Sequence, residues 1–213
     1  AAAPAGPEGD PLGPCRMRPP EGVAEISPRK PAVRPSRACA RVDDWEKRVA
    51  DAWASIDNYE DRDEFRALID QLVAERPDGD PIGLFECACA WDSTGHSDRA
   101  VPLYKTALDD GLSGYRRRRA VIQMSSSLRN IGQVETAVSW LEAERGIDPA
   151  SLDEQTRTLS DAISATLALC LVDSGREREA VSVAVGALAP HLPRYQRSMA
   201  NYARMLVEPD GQS

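Results

Sequence analysis

Three glycines, Gly95, Gly132 and Gly175, organise most of this chain, because the residues around them recur in register. Five residues after each stands an alanine: Ala100, Ala137, Ala180. Four before each stands a large apolar residue: Trp91, Leu128, Leu171. Seven before come Ala88, Ser125 and Ala168, eight before come Cys87, Met124 and Leu167, and nine after come Tyr104, Leu141 and Ala184. The glycines lie 37 and 43 residues apart. A period of this length marks stacked units, each burying on its neighbour an apolar face it cannot bury alone. Each unit reads as a helix, a turn at the glycine and a second helix. Small residues let the two backbones cross closely, and large ones fill the gap between units. The expected fold is an all-α solenoid of helical hairpins.

The flanks extend this plan. Trp45, Val49, Ala52, Trp53 and Ile56 share one helix face, and Phe65, Leu68, Ile69, Leu72 and Val73 share another. Asp43 with Glu46 has the spacing of a capping box. The second helix stops at Pro77-Asp78-Gly79, and Asp80-Pro81 reads as N-cap and first residue of the next. Pro102 falls just beyond the first turn of its helix, where it removes one hydrogen bond. The longer second spacing is expected to lengthen the first helix of the third unit, capped by Ser151 with Glu154. Tyr195, Met199, Tyr202 and Leu206 are expected to cover the exposed core edge after it.

Residues 1–42 differ from the rest. They hold nine prolines and little apolar content, the composition of a disordered tail. Seven basic against four acidic residues give the tail +3, leaving −11 for residues 43–213. A translation start near Met17 or at Val42 is an alternative reading of the same segment. The expected boundaries are 1–42 for the tail, 43–77 for an N-terminal helix pair, 80–112, 117–149 and 151–192 for three repeats, 193–207 for a capping helix and 208–213 for a second tail.

Charge and composition narrow the functional classes. A net charge of −8 makes nucleic acid a poor partner, since phosphate binding relies on a basic face. No apolar run is long enough to span a membrane. The start lacks an apolar signal core, and the five cysteines, Cys15, Cys39, Cys87, Cys89 and Cys170, form no disulfide framework, so a reducing cytoplasm is expected. Arginine far outnumbers lysine, and with abundant Ala, Pro and Gly this suggests a GC-rich bacterial genome.

The segment Leu84, Cys87-Ala88, Trp91, Ala100, Tyr104 and Ala107 resembles a tetratricopeptide repeat. So does the second unit, with Val121, Met124-Ser125, Leu128, Ala137 and Leu141, departing at Glu144 where the pattern wants alanine. The third matches with Leu167-Ala168, Leu171, Ala180, Ala184 and Ala187 but offers Ser164 at its first large position. Trp45 to Leu206 is similar to the bacterial fifth tetratricopeptide-repeat group, most clearly at Ala100-Val101-Pro102-Leu103-Tyr104 and Ser127-Leu128-Arg129-Asn130-Ile131-Gly132. The resemblance implies a right-handed superhelix whose first helices line a concave surface, and a role in binding proteins. On that geometry the inward residues include Phe85, Cys89 and Asp92 in unit one, Arg119, Gln123, Ser126, Arg129 and Asn130 in unit two, and Leu169 and Val172 in unit three. Such a groove is apolar at its flanks and basic in its centre. Arg119 and Arg129 suit carboxylates of an acidic protein or peptide. The family's lysine/asparagine carboxylate clamp is missing, so capture of a chain-terminal carboxylate is not expected.

No catalytic site, metal site or cofactor is expected. His96 and His191 read as solvated loop residues without an oriented partner. Cys87 and Cys89 point about 200° apart on a helix of roughly 3.6 residues per turn, Cys87 into the core and Cys89 toward the inner face. The run Arg116-Arg117-Arg118-Arg119 lacks the interleaved aromatics of a single-strand binder and reads as a solvated helix start or as part of the groove. Two readings compete: an interaction module or scaffold with an Arg-centred groove, and a structural or self-assembling subunit, suggested by Trp45 and Trp53 at one end.

Overall fold

The computed structural model describes residues 37–208; residues 1–36 of the tail expected over 1–42, and residues 209–213 at the other end, lie outside the described residues. Every regular element among the described residues is helical. The helices are α1 (Arg37–Ala54), α2 (Arg62–Val73), α3 (Pro81–Ser93), α4 (Ser97–Asp109), α5 (Gly114–Asn130), α6 (Val134–Arg145), α7 (Glu154–Arg157), α8 (Ser160–Asp173), α9 (Glu177–Leu188) and α10 (Gln196–Met205). Short 3₁₀ turns stand at Ile56–Asn58, Pro149–Ser151 and Ala189–His191. Each helix packs chiefly on its neighbours in sequence, so α3/α4, α5/α6 and α8/α9 are successive hairpins of one array.

The repeating glycines have a common conformational cause. Gly95, Gly132 and Gly175 have φ of 85°, 80° and 75°, the left-handed region open to a residue without Cβ. The amide after each bonds back to the residue four before the glycine: His96 N to Trp91 O at 2.9 Å, Gln133 N to Leu128 O at 2.8 Å, Arg176 N to Leu171 O at 2.8 Å. The glycine amides bond to Asp92, Arg129 and Val172. This is one Schellman C-cap used three times. The register seen in the sequence is therefore the register of helix termination.

Packing follows from the same pattern. Ala100, Ala107, Ala120 and Ala137 are fully buried where hairpins cross, with Tyr104, Met124, Leu141, Ile163, Leu167 and Leu171 between them. A second cluster holds Trp45, Val49, Phe65, Ile69 and Leu72 of α1 and α2, joined to the first through Trp53 and Ile82. Trp45 and Trp53 are therefore packed, not an open aromatic end. Trp45 Nε1 donates to Leu72 O at 2.8 Å and Trp53 Nε1 to Glu86 Oε2 at 2.8 Å. Gly83 is buried in α3 with the Val73 side chain so near that a Cβ there meets Val73 Cγ1 at 2.9 Å. That closeness couples the first helix pair to the repeats.

Several local expectations differ from the structure. α1 begins at Arg37, not at 43, because the last proline of the segment is Pro35 and nothing after it breaks a helix. Asp43 consequently lies inside α1 and not at its N-terminus. Asp80 does cap α3, accepting from Gly83 N at 2.9 Å. α5 starts at Gly114, ahead of the 117 expected. The first helix of unit three is interrupted rather than lengthened. Ser151 belongs to a 3₁₀ turn, and Asp153 is the residue that caps α7, accepting from Thr156 N at 2.8 Å. Helix α8 then starts afresh at Ser160. Over the last hairpin, α10 buries Ala203 and half-buries Met199 and Leu206, while Tyr195 and Tyr202 point to solvent. The two tyrosines flank the packed stripe instead of covering the core.

Candidate interaction surface

The four consecutive arginines of α5 look alike in sequence and separate completely in space. Successive helical residues point about 100° apart, so the four do not share one environment. Arg116 reaches Glu46 Oε2 of α1 at 2.5 Å and Glu86 Oε1 of α3 at 3.2 Å. Arg117 pairs with Glu144 of α6. Arg118 is buried, its Nε 3.7 Å from Glu144 Oε1 and its Nη1 donating to Thr156 O at 3.4 Å. Glu144 departs from the repeat pattern for a visible reason: it is the buried counter-charge of Arg117 and Arg118. Arg116 thus ties α5 to α1 and α3, Arg118 ties it to α7, and Arg117 braces α5 on α6 within their own hairpin.

Arg119 is different. Its guanidinium lies over the Phe85 ring, 5.2 Å from the centroid, and no carboxylate among the described residues stands within ion-pair distance. Together with Glu46, Ile82, Ser113, Tyr115, Arg116 and Gln155 it lines a cavity of about 390 Å³. A cation–π contact holds the guanidinium in place without neutralising it.

The other residues expected on the concave face divide into two sets. Phe85 and Cys89 are buried, so neither offers surface to a partner; both belong to the core. Their places are exchanged with the expectation for the cysteine pair: Cys87 is the half-buried one, its thiol 3.6 Å from Asp70 Oδ1. The reason is helix rotation. Tyr104 of α4 lies 6.1 Å from Phe85 and, with Gln123 of α5, closes over that side of α3. The Cys89 thiol donates to Gln123 Oε1 at 3.4 Å, and burial pushes it up to about 12. Such a thiol stays protonated and is a poor nucleophile. Asp92 is half-buried and accepts from Ser127 Oγ at 2.5 Å and Tyr104 OH at 3.4 Å. Burial raises its carboxyl above the ordinary 3.8, against these hydrogen bonds, which favour the charge.

The second set is accessible. Arg119 and Gln123 are half-buried, and Ser126 and Asn130 are exposed. Leu169 and Val172 of α8 are 54% and 50% exposed. Arg129 is also accessible but already paired, its Nε 2.5 Å from Asp173 Oδ2. The basic centre therefore contracts from two arginines to Arg119. Tyr115, Gln155 and Asp173 were not singled out in the sequence. Asp173 had a signal, since it stands about one repeat period after Arg129; Gln155 had none, because it sits on the irregular insertion.

Of the two histidines expected to lack an oriented partner, His191 has a carboxylate beside it, on the exposed surface. His96 packs edge-on against Trp91 at 5.2 Å, and His191 Nε2 lies 2.9 Å from Asp161 Oδ2 on the surface. No group of three or more His, Cys, Asp or Glu among the described residues is arranged to hold a metal ion. No described helix is long and apolar enough to cross a membrane. Residues 81–206, more than half of the chain, match the family model described as Tetratrico peptide repeat. No curated protein and no solved structure matches the chain.

Proposed function

Because the chain belongs to the tetratricopeptide-repeat family, whose members serve in general as protein-interaction modules or scaffolds, we propose that it holds an acidic protein or peptide segment against α3, α5 and α8. The observation that carries this reading is Arg119: among four adjacent arginines it alone lacks an ion-pair partner among the described residues, and its guanidinium is fixed over Phe85. A preorganised cation at a cavity edge gains more from a carboxylate than a mobile surface one, because less side-chain freedom is lost on contact. Gln123, Ser126 and Asn130 supply hydrogen bonds to a peptide backbone, and Leu169 with Val172 supplies an apolar flank. Asp92 faces the same surface, where it would discourage a second acidic residue in the ligand. The experiment is an affinity capture from the source cell with the whole chain, its Arg119→Ala variant and its Arg129→Ala variant. Loss of a captured protein with the first variant and retention with the second is expected. Equal capture by all three would remove Arg119 from the site. The fold of the first variant is checked by circular dichroism.

A further inference from the structure

Among the described residues, the α1–α2 turn and α10 carry opposite charge. At the N-terminal end the turn between α1 and α2 and the first turn of α2 expose Asp57, Glu60, Asp61, Asp63 and Glu64. The cations nearest in sequence are Arg62, which donates to Ile56 O, and Arg66, which is buried and pairs with Asp63. Asp57, Glu60 and Glu64 have no ion pair among the described residues. At the other end α10 carries arginines and no acid from Arg194 to Val207. Arg194 and Arg197 are exposed and likewise without a carboxylate partner among the described residues, while Arg204 pairs with Glu208. The same helix and its N-cap also bare Tyr195, Tyr202 and Met205, exposed by 72%, 61% and 60%. Aromatic, methionine and arginine side chains together are the composition of a contact surface rather than of a solvated helix.

We propose that copies of this chain associate head to tail, the arginine–tyrosine face of α10 in one copy docking on the acidic α1–α2 turn of the next. A second copy is the occupant that fits, because the body of this chain is acidic overall yet ends in a cationic face, and the carboxylates complementary to that face are its own. The contact joins different patches, so it is not completed in a two-fold dimer and further copies add in the same sense, into a ring or a filament as the rotation between copies dictates. It is led by exposed charges and weakens with salt. It is separate from the surface around Arg119, which stays open in each copy.

Sedimentation velocity of the whole chain tests it, at rising concentration in about 20 mM and about 500 mM salt, where screening lengths differ several-fold. A mass that climbs with concentration at low salt, without stopping at a dimer, and falls back at high salt is expected. Arg194→Glu/Arg197→Glu should weaken association about tenfold or more, as reversal of contact charges does, and Glu60→Lys/Glu64→Lys should do the same. Each variant alone then stays monomeric, yet an equal mixture of the two at low salt associates again, through the pair of ends left native and through the charge-swapped pair, which is once more complementary. Tyr202→Ser, which leaves charge untouched, separates the apolar contribution. A monomer at every concentration in low salt overturns the proposal. So does self-association of the Glu60→Lys/Glu64→Lys variant equal to that of the native chain, which would mean that α10 pairs with itself or with another surface.

Discussion

Helices α1 to α5 bury tryptophan, phenylalanine and tyrosine and tie them with charges, whereas α8 to α10 bury leucine, valine and alanine and keep their charges outside. In the first region Arg76 lies over Trp45 at 4.4 Å, and Trp53 meets Phe65 edge-on at 5.1 Å. Trp91 is held between Arg66 at 4.5 Å and Arg99 at 4.7 Å. Glu86 is buried and accepts from both Trp53 and Arg116. In the second region Ile163, Leu167, Leu171 and Val183 pack without polar partners, and Arg176 joins Glu142 and Glu179 at the surface. Behind α10 a cavity of about 380 Å³ remains, because that helix presents Ala200 and Ala203 where longer side chains would fill it. The first region is specified by directional contacts and is brittle to their loss; the second is held by area alone and yields gradually.

The largest expected effect breaks a buried charge. Glu144→Ala strands Arg118 away from water and should cost about 3–5 kcal/mol in urea unfolding. Asp173→Ala, which frees the half-exposed Arg129, should cost less than about 1 kcal/mol. Similar losses from both would erase the distinction between buried and surface pairing. Next comes Phe85→Ala, at about 3–5 kcal/mol. Trp91, expected from the sequence to fill the gap between units, is only half-buried under two arginines, so Trp91→Ala should cost less than this in thermal melts. Amide exchange sharpens the comparison further: α10 and the last turns of α9 should exchange before α3 to α5, since α10 anchors chiefly through Ala203. Uniform protection would show that the array opens as one unit.

The smallest effect concerns pH. Burial pushes the Asp80 carboxyl up, but hydrogen bonds from Arg76 and the Gly83 amide outweigh it and hold it below the ordinary 3.8. A carboxyl lowered by folding contributes stability above 3.8, and that contribution fades as pH falls through the lowered value. Asp80→Asn keeps a cap without the charge, so its deficit against the native chain should be present near pH 7 and vanish in strong acid. A deficit unchanged across that range would trace to cap geometry and not to charge.

How much was legible in the sequence depended on distance along the chain. The three Schellman glycines, the alanines at the helix crossings and the Asp80 cap are local, and their spacing alone reveals them. Phe85 and Cys89 were misassigned because the face a helix buries depends on how Tyr104 and Gln123 rotate over it, which no single helix encodes. The partners of Arg116, Arg117 and Arg118 lie on α1, α3 and α6, so an apparently uniform basic run concealed three arginines held by carboxylates and one, Arg119, with no ion-pair partner among the described residues. Between Ser151 and Asp153, two residues able to cap, the choice fell to the one whose oxygens reach Thr156 N and Oγ1 together.

All four tryptophans, Trp45, Trp53, Trp91 and Trp140, lie in the first two thirds of the sequence. Tryptophan fluorescence, excited where tyrosine does not absorb, therefore watches α1 to α6 and has no probe in α8, α9 or α10, while far-ultraviolet dichroism counts every helix. If the aliphatic end melts first, the dichroism signal falls while the emission holds still. The gap between the two curves then measures, without any label, how tightly the last hairpin is coupled to the rest.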